Sequence, residues 1–112
     1  MTAVTKVYLL DETGQRFFGD GPCRLLRLVE ETGSLRAAAN HMGMAYTKAM
    51  KLLRQAEQAA GAPLTQRVIG GKDGGGSKLT EQGKELVEKY EEYKAKCIQA
   101  NARIYSEVFE GV

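Results

Sequence analysis

One interruption decides what this chain can become. Met42-Gly43-Met44 splits residues 34–61, SLRAAANHMGMAYTKAMKLLRQAEQAAG, into two helical patterns of unequal length. In the first, Ser34 has the side chain of an N-cap, and Leu35, Ala38, Ala39 and Met42 recur at the spacing of a buried stripe. Gly43 supplies the residue that tolerates the left-handed conformation in which such a helix ends. The second pattern runs from about Ala45 to Ala60, with Gly61 as its stop and Pro63 barring extension. At about 100° per residue, Ala49, Leu52, Leu53, Ala56 and Ala60 fall on one side of that helix. Thr47, Lys51 and Arg54 fall almost opposite, flanked by Lys48 and Met50. A basic outer face is ordinarily just solvated. Here the glycine turn, the narrow alanine-rich first helix and cations in the first two turns of the second together predict a helix-turn-helix. In that motif the second helix enters the major groove of DNA.

The flanking segments supply what two small helices need to be covered. Lys6–Leu10 and Gln15–Phe18, joined by Asp11-Glu12-Thr13-Gly14, read as a β-hairpin whose role is to cover core surface. Asp20 or Gly21 caps a further helix with Pro22 in its first turn, Leu25, Leu26, Leu28 and Val29 as its apolar face, and Glu30–Gly33 as its end. Arg24 and Arg27 are placed in solvent. After Pro63, Leu64–Ile69 and Lys78-Leu79 are extended runs separated by a glycine-rich tip, the pattern of a wing. Arg67, Lys72 and Lys78 would then meet phosphates or the minor groove. A phosphate-cradling nucleotide loop is rejected, because Gly71-Lys72 is followed by Asp73 where Ser or Thr is required. Thr80 caps a last helix reaching to about Phe109. Its Leu86, Tyr90, Tyr93, Cys97, Ala100 and Ile104 form a heptad-like seam, with Glu85/Lys89 and Glu92/Lys96 as surface pairs. So long a stripe predicts pairing with a second copy.

A length of 112 residues, 43% hydrophobic and 27% charged, fits one globular domain. The net charge of +2 is uninformative until it is divided. Residues 1–79 hold eleven Lys/Arg against seven Asp/Glu, and residues 80–112 hold five against seven. The basic surplus lies with the DNA-binding unit. No apolar run reaches a membrane span and no signal peptide opens the chain, so a cytoplasmic protein without membrane contact is expected. Cys23 and Cys97 are expected as free thiols. The single histidine, His41, has no ligand at metal-binding spacing, and Cys23, His41 and Cys97 lack the motif of a zinc site. No arrangement for covalent catalysis is present either. The expectation is no enzyme, no metal and no cofactor.

The combination of Glu30-Glu31-Thr32-Gly33-Ser34-Leu35, Ala37-Ala38-Ala39, Met42-Gly43-Met44-Ala45-Tyr46-Thr47-Lys48-Ala49, the Gly70–Gly76 wing and Leu79-Thr80-Glu81-Gln82-Gly83 resembles a known family. It is similar, over residues 5–95, to the N-terminal DNA-binding domain of the molybdate-responsive regulators of the ModE family, akin to the LysR-type winged helix-turn-helix. The resemblance implies a homodimer on an inverted-repeat operator, dimerised by the long last helix. It also implies contacts to DNA from Tyr46, Thr47 and Lys48, with Arg67 and Lys72 at the backbone. Two departures stand out. Ala45 occupies the place of a serine cap, and the chain stops at Val112 without the oxyanion-binding domain of full-length members. The expectation is therefore a stand-alone form to which molybdate sensing is not carried over: either the effector domain is a separate protein or the regulator answers to something else.

The combined reading is a mainly α protein with small β elements, a winged helix-turn-helix. It divides into a hairpin at 5–18, a three-helix core at 21–61, a wing at 64–79 and a dimerisation helix at 80–109. The DNA-binding set is Ser34, Arg36, Tyr46, Thr47, Lys48, Lys51, Arg54, Arg67, Lys72 and Lys78; the dimerisation set is Leu86, Tyr90, Tyr93, Cys97 and Ile104. The partners expected are double-stranded DNA and a second copy. Two other functions fit the same fold, a protein-interaction module and an architectural DNA-binding protein without sequence preference.

Overall fold

In the computed structural model, residues 2–69 and 76–110 are described. A short hairpin comes first, β1 (Leu9–Leu10) antiparallel to β2 (Arg16–Phe18), with an irregular register between Leu9 and Leu10. It is shorter than the 5–18 expected. The Asp11 carboxylate folds the turn by accepting from the Thr13 N–H, the Thr13 hydroxyl and the Gln15 N–H. These bonds to the charged form hold its pKa below the usual carboxylate range.

Three helices form the core: α1 (Asp20–Thr32), α2 (Leu35–His41) and α3 (Tyr46–Ala60). The residue before α1 is Gly19, not Asp20 or Gly21, and no side chain caps that end. Asp20 is engaged elsewhere: its carboxylate accepts from the Tyr90 hydroxyl at 2.9 Å and the Lys94 ammonium at 2.6 Å. Leu25, Leu26 and Val29 are buried and Leu28 packs at their margin. Gly33 closes α1 at φ 73°. Ser34 then caps α2, its hydroxyl accepting from the Ala37 N–H. Leu35, Ala38 and Ala39 are buried against α1, where small side chains let two helices cross closely.

The wing is β3 (Thr65–Val68) paired antiparallel with β4 (Gly76–Leu79). It is docked at both ends. The Ser77 N–H donates to Gly33 O at 2.8 Å, and a Cβ on Gly76 would overlap that same carbonyl oxygen. At the base, the Thr80 N–H donates to Leu64 O and the Thr80 hydroxyl to Pro63 O. The Thr80 Oγ1 also accepts from the Gly83 N–H, capping α4 (Glu81–Tyr105). Gly83 is obligatory for this crossing, since a Cβ there would run into the Leu64 carbonyl.

Helix α4 continues as a wider π turn over Ser106–Glu110, where Tyr105 and Phe109 stack at 5.1 Å. Its first third belongs to the head. Val87 and Tyr90 are buried, and Tyr90 meets Phe18 edge-to-face at 5.3 Å while its one hydroxyl proton is shared between Asp20 and Val7 O, each 2.9 Å away. Tyr90 was expected on the free seam; the structure corrects this, because its ring completes the chain's own core. Farther along, Asn101 bonds the Thr5 hydroxyl, so the segment before β1 runs beside the helix. The remainder extends outward. The radius of gyration is 16.8 Å, against about 13 Å for a compact chain of this length. Among the described residues, no helix is long and apolar enough to cross a membrane.

Candidate nucleic-acid interface

Helix α3 is built to show one face. Ala49, Leu53 and Ala56 are buried and Leu52 is half-buried. Thr47, Lys48, Lys51 and Arg54 are exposed on the other side, together with Gln55 and Gln58. Ala60 was expected inward; it is exposed, because the last turn runs past the helices that cover the rest of the stripe. The start of α3 is held by the turn: Gly43 sits at φ 66°, and the Met44 N–H donates back to Ala39 O at 3.0 Å. Ala45 offers no side-chain cap, but its carbonyl accepts from the Lys48 and Ala49 N–H groups.

Charge is sorted across the molecule. Every ion pair among the described residues lies within or between α1 and α4: Arg27 with Glu30 and Glu91, Lys94 with Asp20, and Lys84, Lys89 and Lys96 with glutamates of their own helix. The pairs Glu85/Lys89 and Glu92/Lys96 are those expected from helical spacing. Arg27, expected in solvent, instead donates to both Glu91 oxygens, which holds the Glu91 carboxyl below its usual range. By contrast, Arg36, Lys48, Lys51, Arg54, Arg67 and Lys78 have no carboxylate at ion-pair distance among the described residues, and elsewhere Lys6, Arg16, Arg24 and Arg103 share that state. The sequence carries a signal for this: no acidic residue occurs between Glu31 and Glu57. Glu57, the one carboxylate on α3, accepts the Leu64 N–H at 2.9 Å, tying the helix to the wing.

The other expected residues are distributed unevenly around this face. Ser34 is half-buried with its oxygen engaged as the cap of α2. Arg36 is exposed one residue into that helix, its guanidinium 4.3 Å from the centre of the Tyr46 ring. In the wing, Gln66 opposes Lys78 and Arg67 opposes Ser77. Directly opposed residues of a ribbon share a face and successive residues alternate, so Arg67 and Lys78 project to opposite faces. A single backbone passing one face meets only one of them. Lys72 lies outside the described residues.

Comparison with known proteins settles the kind of scaffold. Residues 23–84, the span from α1 through the wing to the first turn of α4, match the bacterial regulatory helix-turn-helix proteins of the lysR family. This chain belongs to that family. The helix-turn-helix of the lysR family is thus α2–α3, with the wing beside it. Similar sequences include the molybdenum transport protein ModE of Herbaspirillum seropedicae, 33% identical over 85% of this chain and 34% of that protein. The molybdenum-pterin-binding protein MopB of Rhodobacter capsulatus is 35% identical over 73% of this chain and 30% of its own length. The DNA-binding transcriptional dual regulator ModE of Escherichia coli is 34% identical over 69% of this chain, again 30% of its own length. The chain spans about a third of the length of these relatives.

Proposed function

We propose that this lysR-family helix-turn-helix chain is a sequence-specific double-stranded DNA-binding transcriptional regulator. It works in the cytoplasm as a homodimer on an inverted-repeat operator. The observation that carries the reading is the exposed Thr47–Lys51–Arg54 stripe of α3, which no carboxylate among the described residues neutralises, while Arg27 of α1 and Lys84, Lys89, Lys94 and Lys96 of α4 are paired. Free Lys and Arg on the exposed side of a second helix displace counterions from phosphates and reach base edges. Lys48 docks the helix start, Ser34 and Arg36 face the flanking backbone, and the wing lies along it with Lys78 or Arg67. From the relatives the reading takes only what the matched residues carry, a DNA-binding unit.

The dimer part rests on α4. With Tyr90 and Leu86 packed on the head, the seam reduces to Tyr93, Cys97, Ala100 and Ile104, continued by Val108. Tyr93 is 54% exposed and Ile104 52%. Two such helices laid together would bury the stripe and relate two heads by a two-fold axis. Selection of bound fragments from a random duplex pool tests both parts. The expected result is a palindrome whose half-site centres lie about 34 Å, or a multiple of it, apart. Enrichment of a single unsymmetrical site would refute the dimer, and retention without sequence preference would indicate an architectural protein.

A further inference from the structure

Two arginines of this chain meet opposite fates. The donors of Arg27 are occupied by Glu30 and Glu91, whereas Arg36 has an aromatic ring beneath it and no hydrogen bond to any described residue. The ring is that of Tyr46, the first residue of α3, half-buried against the core, and Arg36 stands in the first turn of α2. The stack therefore ties together the two helix starts on the DNA-facing side. A guanidinium lying over a ring is attracted by the π face, and its N–H groups point outward in its own plane. That edge is the one that takes a phosphate in a two-pronged grip.

We infer that Tyr46 acts on DNA through Arg36: its ring holds the Arg36 guanidinium in the orientation that grips a backbone phosphate beside the entering helix. This deepens, and rests on, the DNA-binding reading above. Tyr46 is then a positioning residue whose hydroxyl is dispensable and whose π face is not. Arg36 is the contact, and lysine cannot replace it, because an ammonium has no planar fork.

The test is a double-substitution cycle read by fluorescence anisotropy on a mixed-sequence duplex at low salt, where phosphate contacts dominate binding. Tyr46→Phe keeps the ring and is expected to bind as the parent does, with the same salt slope. Tyr46→Leu keeps apolar bulk without the π face and is expected to weaken binding about two- to fivefold, the range of an exposed cation–π contact. Arg36→Ala should lower the salt slope by about one phosphate. Combined with Tyr46→Leu it should cost no more than Arg36→Ala alone. Arg36→Lys should keep the slope and lose affinity. Melting curves of each variant confirm that the fold persists, and Tyr46→Phe serves as the reference if Tyr46→Leu melts early. Additive losses, or a Tyr46→Phe loss equal to that of Tyr46→Leu, overturn the inference while leaving DNA binding intact. A parent chain that binds no duplex overturns the DNA-binding reading and the inference together.

Discussion

Replacing Lys51 and Arg54 together by alanine isolates the face on which the functional reading stands. Both side chains are exposed and neither has an ion-pair partner among the described residues, so the folded chain should hardly register their loss. Alanine is also the best helix former, and exposed substitutions of this kind change stability by about 0.5 kcal/mol or less. The DNA complex should register it strongly. Each lost phosphate contact lowers the slope of log K against log salt by about 0.9, so two lower it by about 1.8. Between about 50 and 200 mM salt, a fourfold change, that difference narrows the gap between parent and variant roughly tenfold. The control is Lys89→Ala with Lys96→Ala, which removes the same charge from α4, where the two lysines pair with Glu85 and Glu92. Anisotropy titrations across the salt range should show a flattened slope for the α3 variant and a nearly parental one for the α4 variant. Equal slopes in the two variants would mean that net charge alone matters, and would refute the assignment of the face.

Gly83→Ala should destabilise the fold by roughly 1–3 kcal/mol in thermal or urea melts, because its Cβ would collide with backbone rather than with a movable side chain. At Gly43 the space is open and the difficulty is φ 66° alone. Gly43→Asn should accordingly melt close to the parent, while Gly43→Val loses roughly 1–2 kcal/mol or more and weakens DNA binding with it. The Asp20 carboxyl is held below its ordinary 3.8 chiefly by the Lys94 and Tyr90 hydrogen bonds, and that of Glu91 below 4.5 by Arg27. Both contribute stability that is fully present above those values and is lost as the pH falls through the lower folded ones. Melting temperature followed from neutral pH into acid should therefore fall below about pH 4, and less steeply in Asp20→Asn. Burial pushes the Cys23 thiol up to about 11, so alkylation of the native protein at pH 8 should spare it, and modification there at the rate of a free thiol would contradict its placement.

The helix-turn-helix was readable because its signals are local. Ser34, Gly33, Gly43, Gly61 and Thr80 each set a helix end through their own φ or their own hydroxyl, and the α3 stripe follows from spacing. What escaped depends on residues far apart in the chain. Asp20 looks like a cap until Tyr90 and Lys94 arrive from 70 or more positions away. Tyr90 fits a heptad seam until Phe18 and Val7 are found around it. The opposed faces of Arg67 and Lys78 require the wing register, and the Arg36–Tyr46 stack requires the crossing of two helices. Ala60 shows the converse limit, since periodicity assigns a face but not the point where the covering partners end.

Whether the outward side of α3 enters the major groove can be read from amide chemical shifts of the labelled protein titrated with its selected duplex. Changes are expected only in the first turn of α2, in residues 45–58 on the side of Thr47, Lys51 and Arg54, and on one face of the wing. Changes concentrated on α4 or the hairpin, with α3 silent, would contradict that placement.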